Sequence, residues 1–255
     1  MAEDIKKVIV VAFHISDSGP LYEKAKDQRL PTLGRFIQEG AWADKLINSL
    51  ASPTQIVTLL TGALPDTHGV RNAGESSRAE YIWEAAQKSS KKTALFGLSI
   101  DRAPASADPS ASPASISSFL RTSPDWDLCF AFLHGATAGI PVMAEAVDQA
   151  SSEILRVADS ETLSILVALP GQDGGGFVAL AGPGVRKGVS IKRIVKIEDI
   201  IPTLCHLGEL SVPADCEGGI LYQALEDPDM KIKELRSCRR NYERLKRSSG
   251  PSAMC

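Results

Sequence analysis

Histidine and aspartate stand close behind three apolar runs of this chain. Val8-Ile9-Val10-Val11-Ala12-Phe13 is followed by His14-Ile15-Ser16-Asp17, Leu128–Leu133 by His134, and Leu163–Leu169 by Pro170-Gly171-Gln172-Asp173. Imidazole and carboxylate are metal ligands, and three protein ligands are enough for a catalytic zinc. His14, Asp17, His134 and Asp173 together could therefore hold one ion, although a histidine such as His14 is as readily a polar residue at a strand end. Thr54 is a different kind of candidate. It follows Pro53 at the start of a helical pattern, where free N–H groups stabilise phosphate. The competing reading is simpler: Ser52 and Thr54 are both good helix caps.

These residues need elements to position them. A continuous apolar run rich in β-branched residues, such as Val8–Phe13, reads as a strand covered on both faces of a parallel sheet. Leu128–Leu133 and Leu163–Leu169 read the same way, with Thr93–Leu98 and Phe177–Ala181 as further strands. Helical patterns fall between them, at Pro31–Gly40, at about Ala79 to Gln87 and at Val142 to Val157. Such alternation predicts an α/β fold with a doubly wound, mostly parallel sheet and helices on both faces. Ligand crevices of such sheets open beyond the carboxyl ends of the strands, where the candidate residues stand.

Composition narrows the function classes. The chain has 255 residues, of which 44% are hydrophobic, enough for one large domain with a substantial core. Its net charge is −3, but eight Lys or Arg against Glu234 and Glu243 lie beyond Met230, so the body is more acidic than the total and nucleic-acid binding is disfavoured. The first apolar run, about six residues long, is too short for a signal peptide core or a membrane span. A cytoplasmic protein is expected. Five widely spaced cysteines, with no CxxC or CxH pattern, read as free thiols, Cys129 and Cys205 being buried.

The domain expected is 1–230, containing a low-complexity flexible loop over about 103–118, followed by a basic tail at 231–255. Within the tail, Ile232, Leu235, Tyr242 and Leu245 can share one face of an amphipathic helix, so Lys231–Arg247 is the expected protein-docking segment.

Two stretches carry a family resemblance. Ser52-Pro53-Thr54-Gln55-Ile56-Val57-Thr58-Leu59-Leu60-Thr61-Gly62, continuing through Pro65 to His68-Gly69-Val70, and Gly182-Pro183-Gly184-Val185-Arg186-Lys187-Gly188, continuing to Asp199-Ile200-Ile201-Pro202-Thr203-Leu204, stand in the order found in the alkaline phosphatase superfamily. That group includes type I phosphodiesterases, nucleotide pyrophosphatases, sulfatases and cofactor-independent phosphoglycerate mutases. The resemblance implies its α/β core and, for an active member, two divalent cations that activate a nucleophile.

Carried onto this chain, the resemblance makes Thr54 a candidate nucleophile and places His14 where a ligating aspartate is usual. His134 stands at another aspartate position, Ile140 where histidine is wanted, and Asp173 alone matches in residue type. His68 is assigned to scaffolding, and the Pro202 helix, with His206, to structure. A protein with the fold motifs but few of the ligands is expected to be non-catalytic, an interaction, regulatory or scaffold subunit with no cofactor. Two alternatives remain open: a divergent hydrolase of phosphate or sulfate esters using Thr54 with zinc, manganese or magnesium at His14, Asp17, His134 and Asp173, and a module that binds a phosphorylated ligand.

Overall fold

A computed structural model describes residues 5–15, 19–27, 29–47, 52–123, 125–133, 144–171 and 175–227. The strands are β1 (Lys7–Ile15), β2 (Ala41–Ile47), β3 (Thr93–Phe96), β4 (Leu128–Leu133), β5 (Thr162–Pro170), β6 (Gly176–Ala181), β7 (Val189–Ser190) and β8 (Val195–Lys196). The α-helices are α1 (Gly19–Lys26), α2 (Pro31–Glu39), α3 (Ser52–Thr61), α4 (Pro65–His68), α5 (Ile82–Lys88), α6 (Pro113–Thr122), α7 (Ala144–Leu155) and α8 (Ile200–Leu207).

One sheet runs in the order β3-β4-β1-β5-β6-β2-β7, with β8 also paired to β2. β1 lies parallel between β4 and β5, in registers that set Phe13 against both Leu133 and Ala168. β6 is antiparallel to both β5 and β2, so β2 points the same way as β1, β3, β4 and β5. The carboxyl ends of these five strands therefore share one edge of a doubly wound, mostly parallel sheet. Helices cover both faces.

Strand alternation sorts the core into two layers. Val8, Val10 and Ala12 of β1 pack with Val57 and Leu60 of α3, Ile82 of α5 and Leu204 of α8. Ile9, Val11 and Phe13 pack on the opposite face with Leu33 and Phe36 of α2, Ile116 of α6 and Ile154 of α7. Burial on both faces is the reason that β1, β4 and β5 read as unbroken apolar runs.

Buried polar contacts lock the layers together. Asp148 of α7 caps α2 from outside, its carboxylate accepting from the backbone N–H groups of Thr32 (3.1 Å) and Leu33 (2.9 Å), while the Thr32 hydroxyl donates to the Asp148 carbonyl. Asp199 accepts from the Arg193 guanidinium, the Gly219 N–H and the Lys196 N–H, which holds the entrance to α8 against the 218–221 segment. Gly97, just past β3, has φ +71, and a side chain there would meet the Phe132 carbonyl at 2.0 Å. The turn after β6 uses Gly182, Gly184 and Gly188, all at positive φ as their spacing suggests.

Three elements differ from the sequence-based reading. β2 is a strand that sequence periodicity does not reveal, because its Ala41-Trp42-Ala43-Asp44-Lys45-Leu46-Ile47 run breaks alternation at a register shift between Ala43 and Leu46. The stretch expected as a loop over 103–118 is anchored: Asp108 exchanges backbone hydrogen bonds with Leu95 and Gly97 beside β3, and Pro113–Thr122 is helical, with Ser112 as its cap. Covering an edge strand satisfies backbone groups that would otherwise invite pairing, a role that needs little apolar content. The third concerns the helix sought at Ala79 to Gln87, which begins only at Ile82, where Tyr81 and Glu84 cap it. The expected tail, Lys231–Arg247, lies outside the described residues.

Asp148→Ala leaves two buried N–H donors without acceptors and should lower unfolding free energy by about 2–3 kcal/mol, read as a lower urea midpoint. Gly97→Ala should destabilise as well, through the clash and the left-handed backbone.

Candidate functional site

The start of α3 is fixed at the carboxyl edge by a side chain that the sequence reading did not single out. Gln55, fully buried, donates from its amide to the carbonyl of Pro170 (3.0 Å), the last residue of β5. Pro170 in turn pairs with Ile15 of β1. Thr54 and the ends of β1 and β5 are thereby neighbours. A lone glutamine beside Ile56, Val57, Leu59 and Leu60 was the available signal, since a buried amide must find a partner.

Thr54 is the third residue of α3 and is buried, its hydroxyl donating over 3.4 Å to the Arg71 carbonyl. His14 is half-buried in β1, paired with Leu169, and by strand alternation it belongs to the face that α3 covers. Asp17, His134 and Asp173 lie outside the described residues. The chain reaches them just beyond Ile15, Leu133 and Gly171, at the ends of three adjacent parallel strands. Among the described residues, no three His, Cys, Asp or Glu side chains come together as a metal site.

His68 belongs to the scaffold. Its ring is fully buried, Nδ1 accepts from the Val70 N–H at 3.0 Å, and Nε2 lies 3.1 Å from the Thr58 hydroxyl. An accepting Nδ1 places the proton on Nε2, which donates to Thr58. Burial lowers the pKa of this imidazole below its ordinary 6.5, with Arg71 and Arg78 adding to the shift and Glu217 opposing it. His206 is half-exposed on α8 beside the Tyr222 ring. Cys129 and Cys205 are buried free thiols; burial pushes both upward, Cys205 to about 12 with a further push from Cys216, so neither is a thiolate near neutrality.

A cleft of about 450 Å³ opens next to Thr54, between the first turns of α3, the 70–75 loop and the 98–101 segment that follows β3. Ile56, Val57, Val70, Leu98 and Ile100 give it an apolar floor, and Asn72, Glu75, Ser99 and Asp101 a polar rim. Glu75 is held by its own loop: the Asn72 amide donates to one oxygen, and the N–H groups of Arg71 and Asn72 donate to the other. Those bonds, the Asn72 side chain's first, bring its pKa down to about 2. Asp101 accepts a 2.6 Å bond from the buried Tyr81 hydroxyl, and burial with that bond keeps the phenol protonated. No local pattern announces this cleft, because its walls come from three segments spread between positions 53 and 101.

The fold has known counterparts. No family model matches the chain, and no curated protein sequence matches it. Among solved structures, an inactive Thr-to-Ala variant of murine ectonucleotide pyrophosphatase/phosphodiesterase 5, in complex with AMP, superposes with a TM-score of 0.64 at 13% identity, over 81% of this chain and 96% of that one. Phosphonate monoester hydrolase from Silicibacter pomeroyi gives 0.64 at 12% identity, over 85% and 76%. A protein in the alkaline phosphatase superfamily from Vibrio parahaemolyticus gives 0.61 at 15% identity, over 87% and 70%. The chain thus has the α/β fold of these alkaline phosphatase superfamily structures.

The neutral His68 has a pH signature. A group whose folded pKa is depressed contributes its full stability above the unfolded value of 6.5 and loses it as pH falls toward the folded value. Urea unfolding of the native chain should therefore weaken between pH 7 and 5. Thr58→Val, which removes the hydroxyl that accepts from Nε2, should destabilise at pH 7.5 by about 1–2 kcal/mol.

Proposed function

We propose that this chain is a non-catalytic protein on the alkaline phosphatase fold, acting as an interaction, regulatory or scaffold subunit in the cytoplasm. The observation that carries this reading is the donor set after β1, β4 and β5. Those segments offer only Asp17 and Asp173 as carboxylates, with Ile140 where the family pattern calls for histidine. Two dications about 4 Å apart repel strongly and need several anionic ligands between and around them. Two carboxylates and neutral imidazoles do not fit that need.

Thr54 adds support. A nucleophile must reach the ester phosphorus or sulfur with its hydroxyl free, whereas this one is buried and turned toward the Arg71 carbonyl. The N-terminal turn of α3 still stands at the carboxyl edge, which leaves a second reading. The murine relative was captured with AMP, and a phosphorylated ligand could meet the same helix start here without being cleaved. On the leading reading, partner docking falls to Lys231–Arg247, whose basic face suits an acidic protein surface.

The purified chain, supplied with zinc, manganese or magnesium, should not hydrolyse para-nitrophenyl phosphate, bis-para-nitrophenyl phosphate or para-nitrophenyl sulfate above the buffer rate. Stoichiometric bound metal together with turnover abolished by Thr54→Ala would establish the hydrolase instead. AMP binding without turnover, measured by calorimetry, would favour the ligand module. Reversing Arg239, Arg240 and Arg244 to glutamate in the full chain should abolish salt-sensitive capture of its protein partner while leaving the unfolding midpoint unchanged.

A further inference from the structure

The cleft beside Thr54 has a chemistry unlike that of an ester-hydrolase site. Its volume, about 450 Å³, lies in the range of small-molecule sites. Glu75 and Asp101 are the only charged side chains among its described lining residues, and both are acids. Each is fixed in place. Glu75 takes three N–H donors from its own loop, and Asp101 is bonded by the Tyr81 hydroxyl and, at 3.4 Å, by the Arg102 guanidinium.

An ionised carboxylate accepts at about four positions, so both keep acceptor capacity after these bonds. The nearby cations are shared with other acceptors. Arg102 meets Asp101 only through Nε, at 3.4 Å, and turns its terminal nitrogens to Glu84 and to the carbonyls of Ser77 and Ala79 while stacking on the Tyr81 ring, and Arg71 pairs with Asp66. What remains facing the cleft is an apolar floor of five aliphatic side chains under two immobile anions.

Such a surface repels the phosphate and sulfate groups that this fold handles in its hydrolase relatives. Its complement is an apolar body bearing N–H donors and positive charge, since a carboxylate pairs best with an amidinium, guanidinium or ammonium group. We propose that this cleft is a binding site for a cationic amphipathic small molecule, an amine, amidine or guanidine carried on an apolar frame. The site does not depend on whether the neighbouring strand ends are catalytic.

Benzamidine tests the idea, with benzyl alcohol and benzoate as its neutral and anionic counterparts. Titrated into the isotopically labelled full chain, benzamidine should shift amide resonances of Ile56, Val57, Asn72 and Leu98 to Asp101. Benzyl alcohol should bind roughly tenfold more weakly and benzoate not at all. Asp101→Asn keeps an acceptor for Tyr81 but removes the charge, and should weaken benzamidine roughly tenfold. Ile56→Lys, which sets a cation of the chain's own over the floor, should do the same from the opposite wall. No shift in these residues at millimolar benzamidine, equal or tighter binding of benzoate, or unchanged affinity in both folded variants would overturn the proposal.

Discussion

Everything in this molecule hangs on β1 being enclosed on four sides. Its backbone pairs with β4 along one edge and β5 along the other, while its side chains alternate between the two core layers. No position in Val8–Phe13 tolerates water, and the strand can occupy only the middle of a parallel sheet with helices above and below. That single requirement fixes the direction of β4 and β5 and sets their carboxyl ends side by side. Any chemistry supplied by the segments that follow those strands must be concentrated along this one edge.

Hydrophobic burial alone would let the helices slide. Their positions are pinned by a few buried polar groups that have one good arrangement each: Asp148 at the start of α2, Asp199 at the entrance of α8, Gln55 against the end of β5, and His68 against α3 through Thr58. Each satisfies donors or acceptors from a distant segment, so a shift of either partner strands a polar group inside. His68 shows the principle most clearly. Its accepting Nδ1 and buried ring commit it to the neutral state and to structure.

The same edge carries two surfaces of opposite leaning. Near β1 and β5, the N–H groups at the start of α3 and the half-buried His14 would suit an anion. Further toward β3, the cleft presents Glu75 and Asp101 over aliphatic side chains. One sheet edge can thus offer neighbouring surfaces of opposite sign, because strand ends fix only where loops begin and the loops choose the charge.

The sequence by itself determined the central strands, the α2, α7 and α8 helices, the glycine turn after β6 and the buried cysteines. Each of these depends on a local pattern: an apolar run that needs cover on both faces, a helical stripe, or a positive φ that glycine adopts without strain. Candidate ligands were legible for the same reason, since a strand end can be counted from its apolar run. Tertiary structure alone decided that β2 is a strand, because its identity rests on pairing with β6 and β8 across a register shift rather than on alternation. It also decided that the Ala- and Pro-rich stretch shields the β3 edge, that Gln55 ties α3 to β5, and that residues 53–57, 70–75 and 98–101 enclose a cleft. These features arise from contacts between segments far apart in the chain, and no local periodicity encodes which distant partner a polar side chain will find.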